Sequence, residues 1–264
     1  MASMLNAHSR PPKGLKIVVI GKIGVGKSAS GNTVLMREAF RSRLSSTAVT
    51  QICQTERGEL DGQTLVVVDT PGLFGLTSSD PSAPSDANSQ DAVMKEVQKC
   101  VSLAPPGPVV FLVVIQMGRF TRDERETVKI IQRTFGLEAA HSTMALFTRG
   151  DDLKTDGRSV EAYIGADPAV RDFIRECFGV YHVFDNRDRD PSQVVELMQK
   201  INNTVQRNGA SGSTGEGSGI LQLEAQERGG GRRQAAGGPG ISRDLLVGGL
   251  AVAIIALLIY LARR

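Results

Sequence analysis

The stretch VVIGKIGVGKSASGN, residues 18–32, constrains this chain more than any other. An apolar, β-branched run stops at a glycine, and Gly26, Lys27 and Ser28 follow five residues later. The spacing Gly21-x-x-x-x-Gly26-Lys27-Ser28 predicts a phosphate-binding loop between a strand and a helix. Glycines let the backbone turn tightly, so that successive N–H groups point inward as an anion nest. A helix starting near Lys27 adds the positive end of its dipole. The expected phosphate seat is Gly21, Lys22, Gly24, Val25, Gly26, Lys27, Ser28 and Ala29. In it Lys27 meets the β- and γ-phosphates and the Ser28 hydroxyl ligates Mg²⁺.

Other apolar runs repeat the pattern. LKIVVI (15–20), TLVVVD (64–69), PVVFLVVI (108–115), STMALF (142–147) and YHVF (181–184) read as strands. Their near-continuous hydrophobicity suits burial on both faces. Helical patterns lie between them at 27–36, 91–103, 122–135, 159–177 with a break at Asp167-Pro168, and 192–206. This alternation predicts an α/β fold, a P-loop NTPase with a mostly parallel sheet covered by helices on both faces. Ligands of such sheets bind at the carboxyl ends of the strands, where the remaining motifs fall. Asp69-Thr70-Pro71-Gly72 follows a valine strand. Asp69 there is expected to hold Mg²⁺ through water, and the Gly72 N–H to meet a γ-phosphate. Thr148-Arg149-Gly150-Asp151 closes another strand, where many guanine-nucleotide proteins have Asn-Lys-x-Asp. A carboxylate there accepts from guanine N1 and N2, which adenine cannot supply. Asp151 or Asp152 is the reader, and register favours Asp151. The Arg149 stem and planar head can lie against the base. Asn186, after YHVFD, is a further expected base contact. A polar strand-to-helix turn is the plainer reading of residues 148–151.

Charge and cysteine usage narrow the class. The net charge of +3 comes from residues 201–264, with seven arginines and four acids. The rest is neutral overall, which argues against nucleic acid as a partner. Three scattered cysteines (Cys53, Cys100, Cys177) fit neither a disulfide framework nor a zinc site. His8, His141 and His182 have no metal-ligand spacing and read as structural or surface residues.

The ends differ from the middle. Residues 1–13 are polar and read as disordered, without an apolar signal core. Residues 14–207 read as the globular domain. Residues 208–243 are rich in Gly, Ser, Gln and Arg and read as a flexible linker. Residues 244–264 then carry an uncharged run from Leu245 to Ala262. As a helix it spans roughly 27 Å at ~1.5 Å per residue, close to a ~30 Å hydrocarbon core. It reads as a single-pass C-terminal transmembrane anchor, with the domain on the cytosolic face of an intracellular membrane. A buried core helix is the plainer alternative.

Together GKIGVGKSASGNTVL, TAVTQICQ, VVVDTPGLF, GRFTRDERETVKIIQRTFG and LFTRGDDL resemble the GIMAP family, the GTPases of immunity-associated proteins. The resemblance covers roughly residues 14–206, and Gly118–Gly136 resembles that family's own signature box. It implies a septin-like G domain and GTP or GDP with Mg²⁺. It also implies homodimers or larger assemblies, including with other family members, across the nucleotide face. By position, Thr50 in TAVTQICQ corresponds to the switch threonine that reaches Mg²⁺, with Thr47 as its rival.

Leu73 stands where small GTPases often place a water-orienting Gln, so intrinsic hydrolysis is expected to be slow. Arg119, in the signature box, is the candidate arginine finger across a dimer; a solvated surface arginine is the alternative. Thr121 and Glu124 predict a capping box. Residues 77–90 read as a mobile loop of the second switch. The function expected is a membrane-anchored, GTP-dependent switch or scaffold with slow or dimerisation-stimulated hydrolysis. A GDP/GTP-binding adaptor without turnover and an ATPase- or kinase-type enzyme are the alternatives.

Overall fold

Val, Ile and Leu at alternate positions have to be covered on two sides, and the strands arrange for this. The computed structural model describes residues 14–42, 50–74 and 86–211. The strands are β1 (Gly14–Gly21), β2 (Gln54–Leu60), β3 (Gln63–Asp69), β4 (Val109–Gln116), β5 (Thr143–Thr148) and β6 (Tyr181–Phe184). They form one sheet in the order β2-β3-β1-β4-β5-β6. Every pairing is parallel except β2 with β3.

The helices are α1 (Lys27–Leu35), α2 (Asp86–Leu103), α3 (Arg122–Phe135), α4 (Gly150–Thr155), α5 (Val160–Ala166), α6 (Pro168–Glu176) and α7 (Ser192–Ser211). A 3-10 turn at Leu137–Ser142 follows α3. Val18, Ile20, Phe111, Val113 and Ile115 face a core closed by Val97 of α2, Ile131 of α3 and Phe173 of α6. Ile17, Val19, Val110, Leu112 and Val114 face the other, closed by Val34 of α1 and Leu197 and Ile201 of α7. The connections leaving β1 and β3 therefore run over opposite faces. The carboxyl end of β1 is thus the point where the connections diverge, the place where such sheets bind ligands.

The expected strands, and the break between α5 and α6, are all present. Asp167 caps α6 by accepting from the Ala169 N–H, with Pro168 in the first turn. The structure adds what the pattern did not predict. β2 is a charged edge strand, QTERGEL, with no apolar stripe of its own; charge on an edge discourages pairing with other chains. α4 and the 3-10 turn are short and polar. α2 begins at Asp86, inside the stretch expected to be loop, and α7 runs past residue 207. His182 is buried beside Lys200 and the Gln193 carbonyl, and desolvation lowers its pKa to about 4, so it is a neutral structural group. The expected anchor, residues 244–264, lies outside the described residues, as do residues 1–13. No helix among the described residues is long and apolar enough to cross a membrane.

The capping box is formed. Thr121 accepts from the Asp123 N–H, and the Glu124 carboxylate accepts from the Thr121 N–H at 2.8 Å. Replacing Thr121 with Ala is expected to cost about 1 kcal/mol of stability. Urea denaturation of the parent and variant checks this; equal midpoints would show that the cap contributes nothing.

Candidate functional site

The glycine-rich loop leaves β1 and enters α1 at Gly26, whose φ of 97° is left-handed. A Cβ on Gly26 would lie 3.3 Å from Thr148 Cγ2, so loop and β5 meet closely here. Lys27 opens α1 with only 7% of its surface exposed. Its ammonium donates to the Lys22 carbonyl at 2.7 Å. Burial lowers its pKa to about 8, partly offset by the charge of Asp69.

Beside Lys27 three oxygens converge. Ser28 Oγ donates to Asp69 Oδ2 at 2.6 Å, Thr50 Oγ1 donates to the same oxygen at 3.1 Å, and the two hydroxyls are 3.1 Å apart. Asp69 is fully buried. Its Oδ1 has no hydrogen-bond partner among the described residues. Burial raises the Asp69 pKa, and the hydroxyls of Ser28 and Thr50 and the charge of Lys27 draw it back. Two hydroxyls and a carboxylate with an unsatisfied buried oxygen are a hard donor set that fits Mg²⁺. Thr50 is thus in the cluster, while its rival Thr47 lies outside the described residues.

The Asp69-Thr70-Pro71-Gly72 turn is stitched to the loop. Thr70 Oγ1 donates to the Val19 carbonyl, the Leu73 N–H to Gly21, and the Ile23 N–H to Phe74. A Cβ on Gly72 would fall 2.2 Å from Ile23 Cγ1, so only glycine allows this approach. Leu73 is buried in the core.

The β5 end is joined to the same loop. The buried Thr148 hydroxyl donates to the Val25 carbonyl at 2.8 Å. Three residues on, Asp151 of α4 has 26% of its side chain exposed and is paired with Arg187 at 3.0 Å. Arg149 has a left-handed backbone, φ 64°, and its guanidinium pairs with Asp152 at 2.9 Å. That pair engages Asp152, the alternative to Asp151 as reader. Asn186, the further expected base contact, lies beside the loop, its Nδ2 3.5 Å from where a Cβ on Gly26 would stand. Its amide is also held by α1: Oδ1 accepts from Thr33 at 2.8 Å and Nδ2 donates to Ser30 at 3.2 Å. The Lys22 ammonium leaves the loop, donating to Thr121 Oγ1 at 2.9 Å and pairing with Asp123 at 3.2 Å.

Arg119 is exposed just past β4, and its side chain has no partner among the described residues. Sequence reasoning missed Ser30, Thr33 and Arg187, whose partners come from distant parts of the chain. A cavity of about 600 Å³ opens beside α1. It shares Ala29 and Asn186 with the expected site but not Lys27, Asp69 or Asp151, so the charged cluster lies outside it.

The lowered Lys27 pKa has a signed consequence. Between about 8 and 10.5 the unfolded chain holds a proton that the folded chain has lost, so folding stability from this group rises with pH across that window. The gain is expected to be on the order of 2–3 kcal/mol, and absent in Lys27→Met. Denaturation of both at pH 7.5 and 10 checks it; parallel profiles would exclude a depressed lysine.

Comparison with known proteins adds three findings. Residues 15–226 match the AIG1 family. The chain is 35% identical over 199 residues to GTPase IMAP family member 8 of Homo sapiens, covering 74% of this chain and 28% of that protein. It is 34% identical over 205 residues to Immune-associated nucleotide-binding protein 9 of Arabidopsis thaliana, covering 76% and 56%. The chain therefore spans less than two thirds of either relative. Toc33 from Arabidopsis thaliana, solved with Mg²⁺ and GMPPNP, shares the fold at a TM-score of 0.52 and 17% identity, covering 74% of this chain and 85% of that chain. An arginine-to-alanine Toc33 mutant described as dimerisation deficient superposes at 0.50 and 18% identity, with the same coverage.

Proposed function

The chain belongs to the AIG1 family, and from that premise we propose a guanine-nucleotide switch that assembles through its nucleotide face and is held to a membrane. Its ligands are GTP and GDP with Mg²⁺, as in the Toc33 complex with Mg²⁺ and GMPPNP. The observation that carries this reading is the convergence of Lys27, Ser28, Thr50 and Asp69 at one strand end. The Thr148 bond to Val25 joins the strand end that precedes Asp151 to the same loop.

In this reading the loop amides and Lys27 grip the phosphates, the Gly72 N–H meets the γ-phosphate, and Asp151 accepts from the guanine edge. Asn186 acts through α1, holding Ser30 and Thr33, and so steadies the helix whose first turn carries Ser28. Ser28, Thr50 and Asp69 would hold Mg²⁺, which when bound neutralises phosphate charge and orients the phosphates. Mg²⁺ and the γ-phosphate would tighten the hold on Thr50, so that hydrolysis loosens the first switch.

Leu73 is buried and has no group to orient water, so a single copy turns over slowly. Arg119, exposed at the β4 end, supplies the missing charge to a second copy. The dimerisation-deficient arginine mutant of Toc33 supports this reading. The anchor at residues 244–264 rests on the apolar run alone. The buried Leu73 also favours a second reading, a GDP/GTP-binding adaptor without turnover.

Competition between GTP and ATP for the Mg²⁺-loaded chain tests the nucleotide class. GTP is expected to win by at least ~10²-fold, and Asp151→Asn to remove most of that preference; equal affinity for ATP overturns it. Turnover per molecule is expected to rise with protein concentration and to stay flat in Arg119→Ala. A parent rate independent of concentration excludes the finger and favours the adaptor.

A further inference from the structure

The reader carboxylate is already engaged. Arg187 Nη1 lies 3.0 Å from Asp151 Oδ2, joining the β6–α7 loop to the start of α4. No motif in the sequence marks Arg187, and no role described above uses it.

The loop that presents Arg187 is firmly held. Asn186 is clamped to Ser30 and Thr33. The Arg187 N–H donates to Asp185 Oδ1 at 3.0 Å. Gln193 of α7 accepts from the Asp185 N–H and donates to the carbonyls of Asp185 and Asp188. The backbone under Arg187 is therefore fixed from three sides, while its side chain is 73% exposed. Such a cation can swing without disturbing the fold.

Guanine needs both oxygens of Asp151 for its N1–H and N2–H groups, and Arg187 already donates to one of them, which weakens that oxygen as an acceptor. We propose that Arg187 is a latch on the base seat: its guanidinium competes with guanine for Asp151, and the pair must loosen as the base docks. The latch rests on the reading of Asp151 as the guanine carboxylate. Arg187 is a positioning residue that sets the rate of nucleotide capture and touches no phosphate.

The energetics bound the effect. An exposed ion pair is worth ~0.2–1 kcal/mol, equivalent to about a 1.4- to 5-fold change in a rate or affinity. Salt weakens such a pair, since the Debye length falls to ~10 Å at 0.1 M and ~3 Å at 1 M. A latch therefore has two signatures. Removing the cation speeds association without changing dissociation, and the advantage shrinks as salt is added.

The test uses the full chain in detergent, stripped of nucleotide, with a fluorescent GDP analogue and Mg²⁺ in stopped flow. Arg187→Ala is expected to raise the association rate about two- to five-fold over the parent at low salt, with the dissociation rate unchanged. The ratio should fall toward one near 1 M salt, and Arg187→Lys should restore most of the parent rate. Equal association rates in parent and Arg187→Ala overturn the latch, as does a gain that ignores salt. A faster dissociation with unchanged association also overturns it, and makes Arg187 a contact to the bound base. If the parent retains no guanine nucleotide at all, the latch fails together with the proposed function; if it binds GDP tightly and only the rate signature is missing, the latch alone fails.

Discussion

A carboxylate, Asp69, and an ammonium, Lys27, share the buried end of one parallel sheet, and the local structure is organised around keeping both in place. Neither charge is stable there unaided. Lys27 survives by donating to the Lys22 carbonyl, and Asp69 by gathering two hydroxyls. Burial still pushes both toward neutrality, the lysine downward and the aspartate upward. A site in this condition favours any ligand that brings negative charge to Lys27 and positive charge to Asp69. Phosphate together with a divalent cation meets both demands.

Around this pair, separate strands are tied to one loop. β3 reaches it through Leu73 and β5 through Thr148, while Thr70 bonds to β1 and the β6 end reaches α1 through Asn186. The base end and the phosphate end are thereby one body. α1 is gripped at its start by the loop and in its middle by Asn186. Lys22 extends the same body to α3, because its ammonium sits on the capping box of that helix. Arg119 lies just ahead of that cap.

Much of this was legible in the sequence, for identifiable reasons. β1, β3, β4 and β5 announce themselves by runs too apolar for any place but a two-sided interior. Lys27, Ser28 and Asp69 are fixed by short spacing to those runs. β2 was not legible, because QTERGEL has no buried face and has β3 as its one strand neighbour. α4 was not legible, being six residues of polar helix. The side chains of Asn186 and Lys22 turned to protein partners that spacing cannot reveal. Asn186 meets Thr33 across 153 residues of chain, and Lys22 meets Thr121 across 99.

The antiparallel pairing of β2 has a mechanical result. Gln54 lies opposite Asp69 in the register, and Thr50 is only four residues upstream. The segment bearing Thr50 is thus hung from the outer rim of the sheet, on a ribbon with one neighbour and little core of its own. Peeling the first rungs of that ribbon would slacken the segment while leaving both cores intact. The domain can thus alter its outline at one margin at small energetic cost, and a partner that sensed that margin would read the bound nucleotide without ever touching it.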